Sequence, residues 1–137
     1  MDADTSPPAG PPAGTRPDPI EVDRAQVLVL VAAGARLVET LGPGWYADAH
    51  LPGAVNVPHD RVDELAPLLL PGRAAPVVVY GSDPACHNCA SVAHRLRALG
   101  YGDVRSYPGG KQDWVLAGLP LERGPVPPAA ATGGGTA

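Results

Sequence analysis

Apolar residues along the chain fall into short runs separated by glycine, proline and charged positions. Asp23 precedes an apolar stretch that predicts a helix over Arg24 to Ala33, capped by the Asp23 carboxylate and stopped by Gly34. Arg36 to Thr40 reads as a short buried strand, broken by Gly42-Pro43-Gly44, and Ala54 to Val57 as another, closed by Pro58. Asp60 is placed to cap a helix over Arg61 to Leu69, with Val62, Leu65 and Leu69 on one face; Pro67 is expected to kink it or end it early. Val77 to Tyr80 is an uninterrupted apolar run, the signature of a central strand covered on both faces. Val92, Ala93, Leu96 and Leu99 recur at helical spacing and predict a helix over Ala90 to Leu99, stopped by Gly100. Val104 to Tyr107 is the next strand, and Gly109-Gly110 turns into a helix carrying Trp114, Val115 and Leu116 that ends at Gly118. This alternation predicts an α/β fold, a mostly parallel sheet doubly wound with helices on both faces.

The two ends differ from this pattern. Residues 1–19 (MDADTSPPAGPPAGTRPDP) and 125–137 (PVPPAAATGGGTA) are rich in Pro, Gly and Ala and lack any apolar period. Such segments bury too little surface to offset their ordering entropy, so both are expected to be disordered tails around a single folded domain, 20–124. A length of 137 residues suits one core and not two. The net charge of −4, with Lys111 as the only lysine, offers no basic stripe for nucleic acid. The most apolar segment, Ala25 to Ala35, falls far short of the roughly 18 residues of a membrane helix. No basic region followed by an apolar stretch opens the chain, so a cytoplasmic protein with reduced thiols is expected.

The candidate chemistry lies in one loop. Cys86 and Cys89, the chain's two cysteines, both follow the central strand and lead into the clearest helix. In open α/β sheets ligands sit at the carboxyl ends of strands, and a helix N-terminus presents free N–H groups that favour an anion such as a thiolate. Gly81, Ser82, Asp83 and Pro84 are turn formers that let the backbone curl and aim its amides inward. Two plainer readings stand beside this one. Cysteine is often a small buried hydrophobe, which fits Cys89 at the helix start better than Cys86 in mid-loop. Cys86-His87-Asn88-Cys89 also has the spacing of zinc and thiol-redox motifs, but His50, His59, His87 and His94 supply no recognisable second ligand pair, so no metal and no cofactor is expected.

Four segments together resemble the rhodanese-like, or sulfurtransferase, family. They are Ala49-His50-Leu51-Pro52-Gly53-Ala54-Val55-Asn56-Val57-Pro58, similar to the family's G-H-I-P-G-A-x-N-I-P; the strand Pro76 to Tyr80; Arg97-Ala98-Leu99-Gly100-Tyr101-Gly102-Asp103-Val104, similar to L-x-x-L-G-(F/Y)-x-x-V; and Tyr107 to Trp114 with Ala117 to Glu122, similar to G-G-x-x-x-W…G-x-P-(V/L). The resemblance covers about Ile20 to Arg123 and implies a five-stranded, mostly parallel doubly wound domain. It also implies a loop cysteine that takes up sulfane sulfur as a persulfide, cradled by backbone amides, and passes it to a thiol or cyanide. The partners implied are a small-molecule sulfur donor and a thiol acceptor, which for some members is a protein.

Two departures from the family's pattern matter. Its usual cysteine directly follows the strand, where this chain has Gly81, and its early Asp-Val-Arg is replaced by Glu39-Thr40-Leu41. The expectation is therefore a persulfide on Cys86 with Cys89 as a resolving thiol, Ser82, His87 and Asn88 contacting substrate, and Gly81 and His50 in support. For His50 a packing role competes, and His87 either steadies a thiolate as imidazolium or is simply solvated. Asp83 opposes a thiolate by like charge, Trp114 is expected in the core, and Lys111 and Arg105 are expected as surface charges. The alternatives are a catalytically inactive binding module, which Gly81 favours, and a thiol-redox element using Cys86 and Cys89. Phosphatase chemistry needs an arginine about six residues after the cysteine, but Arg95 follows Cys86 by nine positions, well into the helix.

Overall fold

The computed structural model describes residues 20–83 and 88–124. The expectations for the two terminal tails, and those for Cys86 and His87, fall outside the described residues. Five parallel strands, β1 (Ile20–Glu21), β2 (Arg36–Glu39), β3 (Val55–Asn56), β4 (Val77–Tyr80) and β5 (Val104–Tyr107), form one sheet in the order β1-β5-β4-β2-β3. Among the described residues four helices connect them, α1 (Arg24–Ala32), α2 (Pro43–Asp48), α3 (Val62–Leu69) and α4 (Asn88–Ala98), and α5 (Gly110–Leu116) follows β5. The α/β reading holds, and the all-apolar run Val77–Tyr80 is the central strand, buried at all four positions.

Because a strand sends alternate side chains to opposite faces, the sheet sorts its own core. On one face Val38, Val77, Val79 and Val104 pack against Val62 and Ala66 of α3 and Val92, Ala93 and Leu96 of α4. On the other, Leu37, Val78, Tyr80 and Tyr107 pack against Val27 of α1, Tyr46 of α2 and Trp114 of α5. Trp114 is in the core, as expected, and donates its indole N–H to Pro120 O at 2.8 Å.

The helix ends follow local chemistry. Asp23 caps α1 as read from sequence, in a reciprocal box with Gln26. Gly100, at φ 102°, closes α4, and Tyr101 N–H reaches back to Leu96 O. Three details differ from expectation. Gly42-Pro43-Gly44 ends the strand but also starts a helix, since Pro43 sits where a helix N-terminus tolerates it. Asp60 does not cap α3; Arg61 takes the cap position with no side-chain bond, and Asp63 and Glu64 offset the dipole from the first turn. Pro67 does not stop α3 early, because it faces outward, where water can take the carbonyl it leaves free, and the helix runs to Leu69. Among the described residues, no helix is long and apolar enough to cross a membrane.

Candidate active site

From β2 the chain passes to β3 on one side, whereas β4 and β5 lie on the other. The strand order therefore reverses between β2 and β4, and the loops leaving their carboxyl ends diverge. In an open α/β sheet this crevice is where ligands bind. One wall is Thr40, fully buried, whose N–H continues the ladder to Tyr80 O at 3.1 Å. The turn after β2 is pinned by Asn56, whose amide donates to Glu39 O at 3.1 Å and Leu41 O at 2.7 Å.

The other wall begins at Gly81. Its carbonyl accepts Lys111 N–H at 3.0 Å, and the carbonyl of Ser82 accepts Gln112 N–H at 2.9 Å. Two orphan amides in the first turn of α5 are thus satisfied by the loop. The fit is close: Gly110 has φ 60°, and a Cβ built on it would lie 2.5 Å from Gly81 O. Only glycine allows α5 to approach the loop this way. Since a trans peptide holds its N–H opposite its C=O, the amides of Ser82 and Asp83 point away from α5. The chain is described again from Asn88, in α4.

The expected site residues are only partly gathered here. Gly81 is buried, Ser82 exposed and Asn88 half-buried at the loop's two ends. Cys89 is 5 % exposed and belongs to the aliphatic cluster under α4, with Sγ 3.9 Å from Thr40 Oγ1. This placement supports the packing reading for Cys89. His50 is buried. Its ring stacks on Tyr46 with centroids 3.8 Å apart, and Nδ1 lies 2.7 Å from Tyr46 O, so the hydrogen sits on Nδ1. Its backbone bridges Glu122 in both directions at 2.8 Å. His50 therefore fastens the segment after α5 to the end of α2.

A charged cluster beneath the crevice was not read from sequence. Glu39, fully buried at the end of β2, lies in register with Tyr80 at the end of β4. Tyr80 hydroxyl donates to Glu39 Oε1 at 2.8 Å and accepts Leu51 N–H at 3.1 Å. Lys111 Nζ stands 2.9 Å from Glu39 Oε2, an ion pair outside aligned hydrogen-bond geometry, and donates to Trp45 O at 3.0 Å. Burial pushes the Glu39 carboxyl above its ordinary range, with the Lys111 and Tyr80 contacts pulling the other way. Burial and the neighbouring Glu39 raise the Tyr80 phenol, and burial takes Tyr46 to about 12. Lys111 is thus not the surface charge expected of it; its side chain is 15 % exposed. The available signal was period two: Glu39 shares a strand face with Leu37, which points into the core. Arg105 is half-exposed and pairs with Asp103 at 2.9 Å.

A short-stranded parallel α/β sheet whose order reverses between β2 and β4 defines an open, doubly wound fold with its crevice at the carboxyl ends of those strands. Residues 23–117 match the family model for the rhodanese-like domain, and the chain belongs to that family. Thiosulfate sulfurtransferase YnjE of Escherichia coli (strain K12) is 33 % identical over an alignment covering 62 % of this chain and 22 % of that protein. The crystal structure of thiosulfate sulfurtransferase from Pseudomonas aeruginosa is similar at TM-score 0.67 and 28 % identity, over 77 % of this chain and 20 % of that one. The BH2092 protein from Bacillus halodurans shares the fold at TM-score 0.69 and 22 % identity, over 76 % and 77 %. The chain spans about a fifth of the length of the two sulfurtransferases.

Proposed function

We propose that this domain transfers sulfane sulfur, carried as a persulfide on Cys86. The observation that carries the reading is the binding of the Gly81 and Ser82 carbonyls to α5, which turns the next two amides away from that helix at the carboxyl end of the central strand. Those amides, together with the α4 N-terminus, favour an anion in the loop. The names of the two sulfurtransferase relatives point to the same chemistry.

In the proposed cycle the Cys86 thiolate attacks the outer sulfur of thiosulfate. A new S–S bond forms, and the bond to the sulfonate breaks with its electron pair, leaving as sulfite. An acceptor thiolate then attacks the terminal sulfur of the persulfide, takes it as its own persulfide and releases Cys86 as thiolate. No outside oxidant or reductant is consumed. Ser82 and Asn88 stand at the loop ends, where their side chains can donate to the anion, and Asp83 disfavours excess negative charge there.

Gly81 supports a second reading, a binding module without transfer, because the residue directly after β4 has no nucleophile. The thiol-redox alternative is weakened by Cys89, whose burial among aliphatic side chains sets it apart from an exposed resolving thiol. The test is incubation with thiosulfate or mercaptopyruvate followed by intact mass. Sulfur transfer predicts a gain of about 32 daltons, one sulfur atom, that is lost in Cys86→Ser and discharged by a small thiol. Absence of the adduct in a folded protein, or its persistence in Cys86→Ser, overturns the reading.

A further inference from the structure

We propose that Lys111, held by Glu39, is a positioning residue that sets the backbone path of residues 81–83, the described start of the loop after β4. The inference rests on that loop being the functional site but not on which thiol, if any, works there. Lys111 joins three elements at once. Its backbone N–H holds Gly81 O at 3.0 Å, its ammonium meets Glu39 at the end of β2 at 2.9 Å, and the same ammonium donates to Trp45 O of α2 at 3.0 Å. The next amide, Gln112, holds Ser82 O. The side chain that anchors the first turn of α5 therefore belongs to the residue whose backbone fixes the first loop carbonyl.

The anchor is a charge, and it acts through a tight contact. Glu39 has no solvent exposure, and its two side-chain partners are the Tyr80 hydroxyl and Lys111. Losing the ammonium leaves a buried carboxylate with one hydroxyl, an arrangement that draws in a proton or water. The ammonium ties down the turn whose Lys111 and Gln112 amides hold Gly81 O and Ser82 O, and that turn lies so near the loop that a Cβ on Gly110 would stand 2.5 Å from Gly81 O. A general packing role would not depend on charge at position 111; this one does. It also depends on Glu39 being ionised. The groups facing that carboxylate are Lys111 from α5, Tyr80 from β4, Tyr46 from α2 and the His50 ring after α2.

The experiment is amide hydrogen exchange at Lys111, Gln112 and residues 81–83 in the full chain, with Glu39→Gln, Lys111→Met and Lys111→Arg. Glu39→Gln keeps an acceptor for Tyr80 and is expected not to lower the thermal midpoint, while protection at Lys111 and Gln112 falls roughly tenfold, the loss of a tie of about 1.4 kcal/mol. Lys111→Met is expected to lose the same protection, and Lys111→Arg to retain most of it. In the wild type, protection corrected for intrinsic rates is expected to fall on acidification through the Glu39 titration; in Glu39→Gln it stays flat. Unchanged protection in both Glu39→Gln and Lys111→Met, or equal loss in Lys111→Arg and Lys111→Met, overturns the inference. Exchange is read without sulfur donor, so a missing persulfide would refute the proposed activity and leave this result standing, and the reverse also holds.

Discussion

The two faces of the sheet solve the same packing problem with different chemistry. The face under α3 and α4 is almost wholly aliphatic, with Tyr101 its one aromatic residue among the described buried set, and that tyrosine's hydroxyl donates to the backbone carbonyls of Ala66 and Leu70. The face under α1, α2 and α5 holds Tyr46, Tyr80, Tyr107 and Trp114, and the charge of Glu39 lies at its carboxyl edge. Tyr46 hydroxyl donates to Ala54 O, Tyr107 hydroxyl to Asp113, and Tyr80 hydroxyl to Glu39. The first face contributes buried apolar area. The second also fixes the direction of loop-bearing elements, because each hydroxyl joins a strand or helix to a neighbour with a defined geometry. Dividing these tasks between faces lets apolar burial and the placing of the strand ends be set separately.

If that division is real, truncation and charge loss should act on opposite faces. Leu96→Ala, in the aliphatic face, is expected to cost about 4 kcal/mol through lost burial and a residual cavity, seen as a lowered urea midpoint with the loop amides of the native state still protected. Lys111→Met is expected to cost about 3 kcal/mol at neutral pH, because it strands the Glu39 carboxylate. Similar loop protection in these two variants at matched stability would erase the contrast. The tyrosines sharpen it. Tyr80→Phe removes the acceptor of Leu51 N–H and the donor to Glu39, at an expected cost of about 2 kcal/mol. Tyr101→Phe removes a donor from two carbonyls, one of which, on Ala66, also accepts Leu70 N–H, so about 1 kcal/mol is expected. Equal costs in paired urea titrations would mean that the Glu39 cluster adds nothing beyond an ordinary buried hydroxyl.

The aliphatic face was legible in the sequence, and the other face only in part. Val77–Tyr80 and the spacing of Val92, Ala93 and Leu96 announce a strand and a helix because periodicity reports which side chains leave water, and here apolarity and burial coincide. Glu39 breaks that coincidence. A carboxylate at a strand end reads as solvated, and its partly buried partner Lys111 lies 72 positions later, beyond the reach of any local period. Glycines were read as breakers, which holds for Gly100, but Gly110 is demanded by the approach of Gly81 O, a tertiary contact with no local signature. The strand β1 went unread because two residues carry no period at all. The loop's location was legible from strand-then-helix order, and the packing reading for Cys89 was available from its place at the helix start, while its contact with Thr40 was not.

The smallest effect tests whether the buried charge serves position at the expense of stability. Burial raises the Glu39 pKa above its ordinary value of 4.5, so the folded chain binds that proton more tightly than the unfolded chain. The stability this provides is fully present below pH 4.5 and is lost as pH rises through the folded value. Glu39→Gln has no such group. Its stability relative to the wild type should therefore climb from pH 4.5 upward and level off above the folded value, which urea titrations at a series of pH values would show. The opposite slope, with the wild type gaining on the variant as pH rises, would mean that attraction to Lys111 outweighs the burial of the carboxylate. In that case the ion pair would be a stabilising device like the aliphatic core, and the second face would have no distinct task. A climb in stability accompanied by loosened loop amides would separate the two quantities in one residue: the fold tolerates Glu39, and the loop requires it.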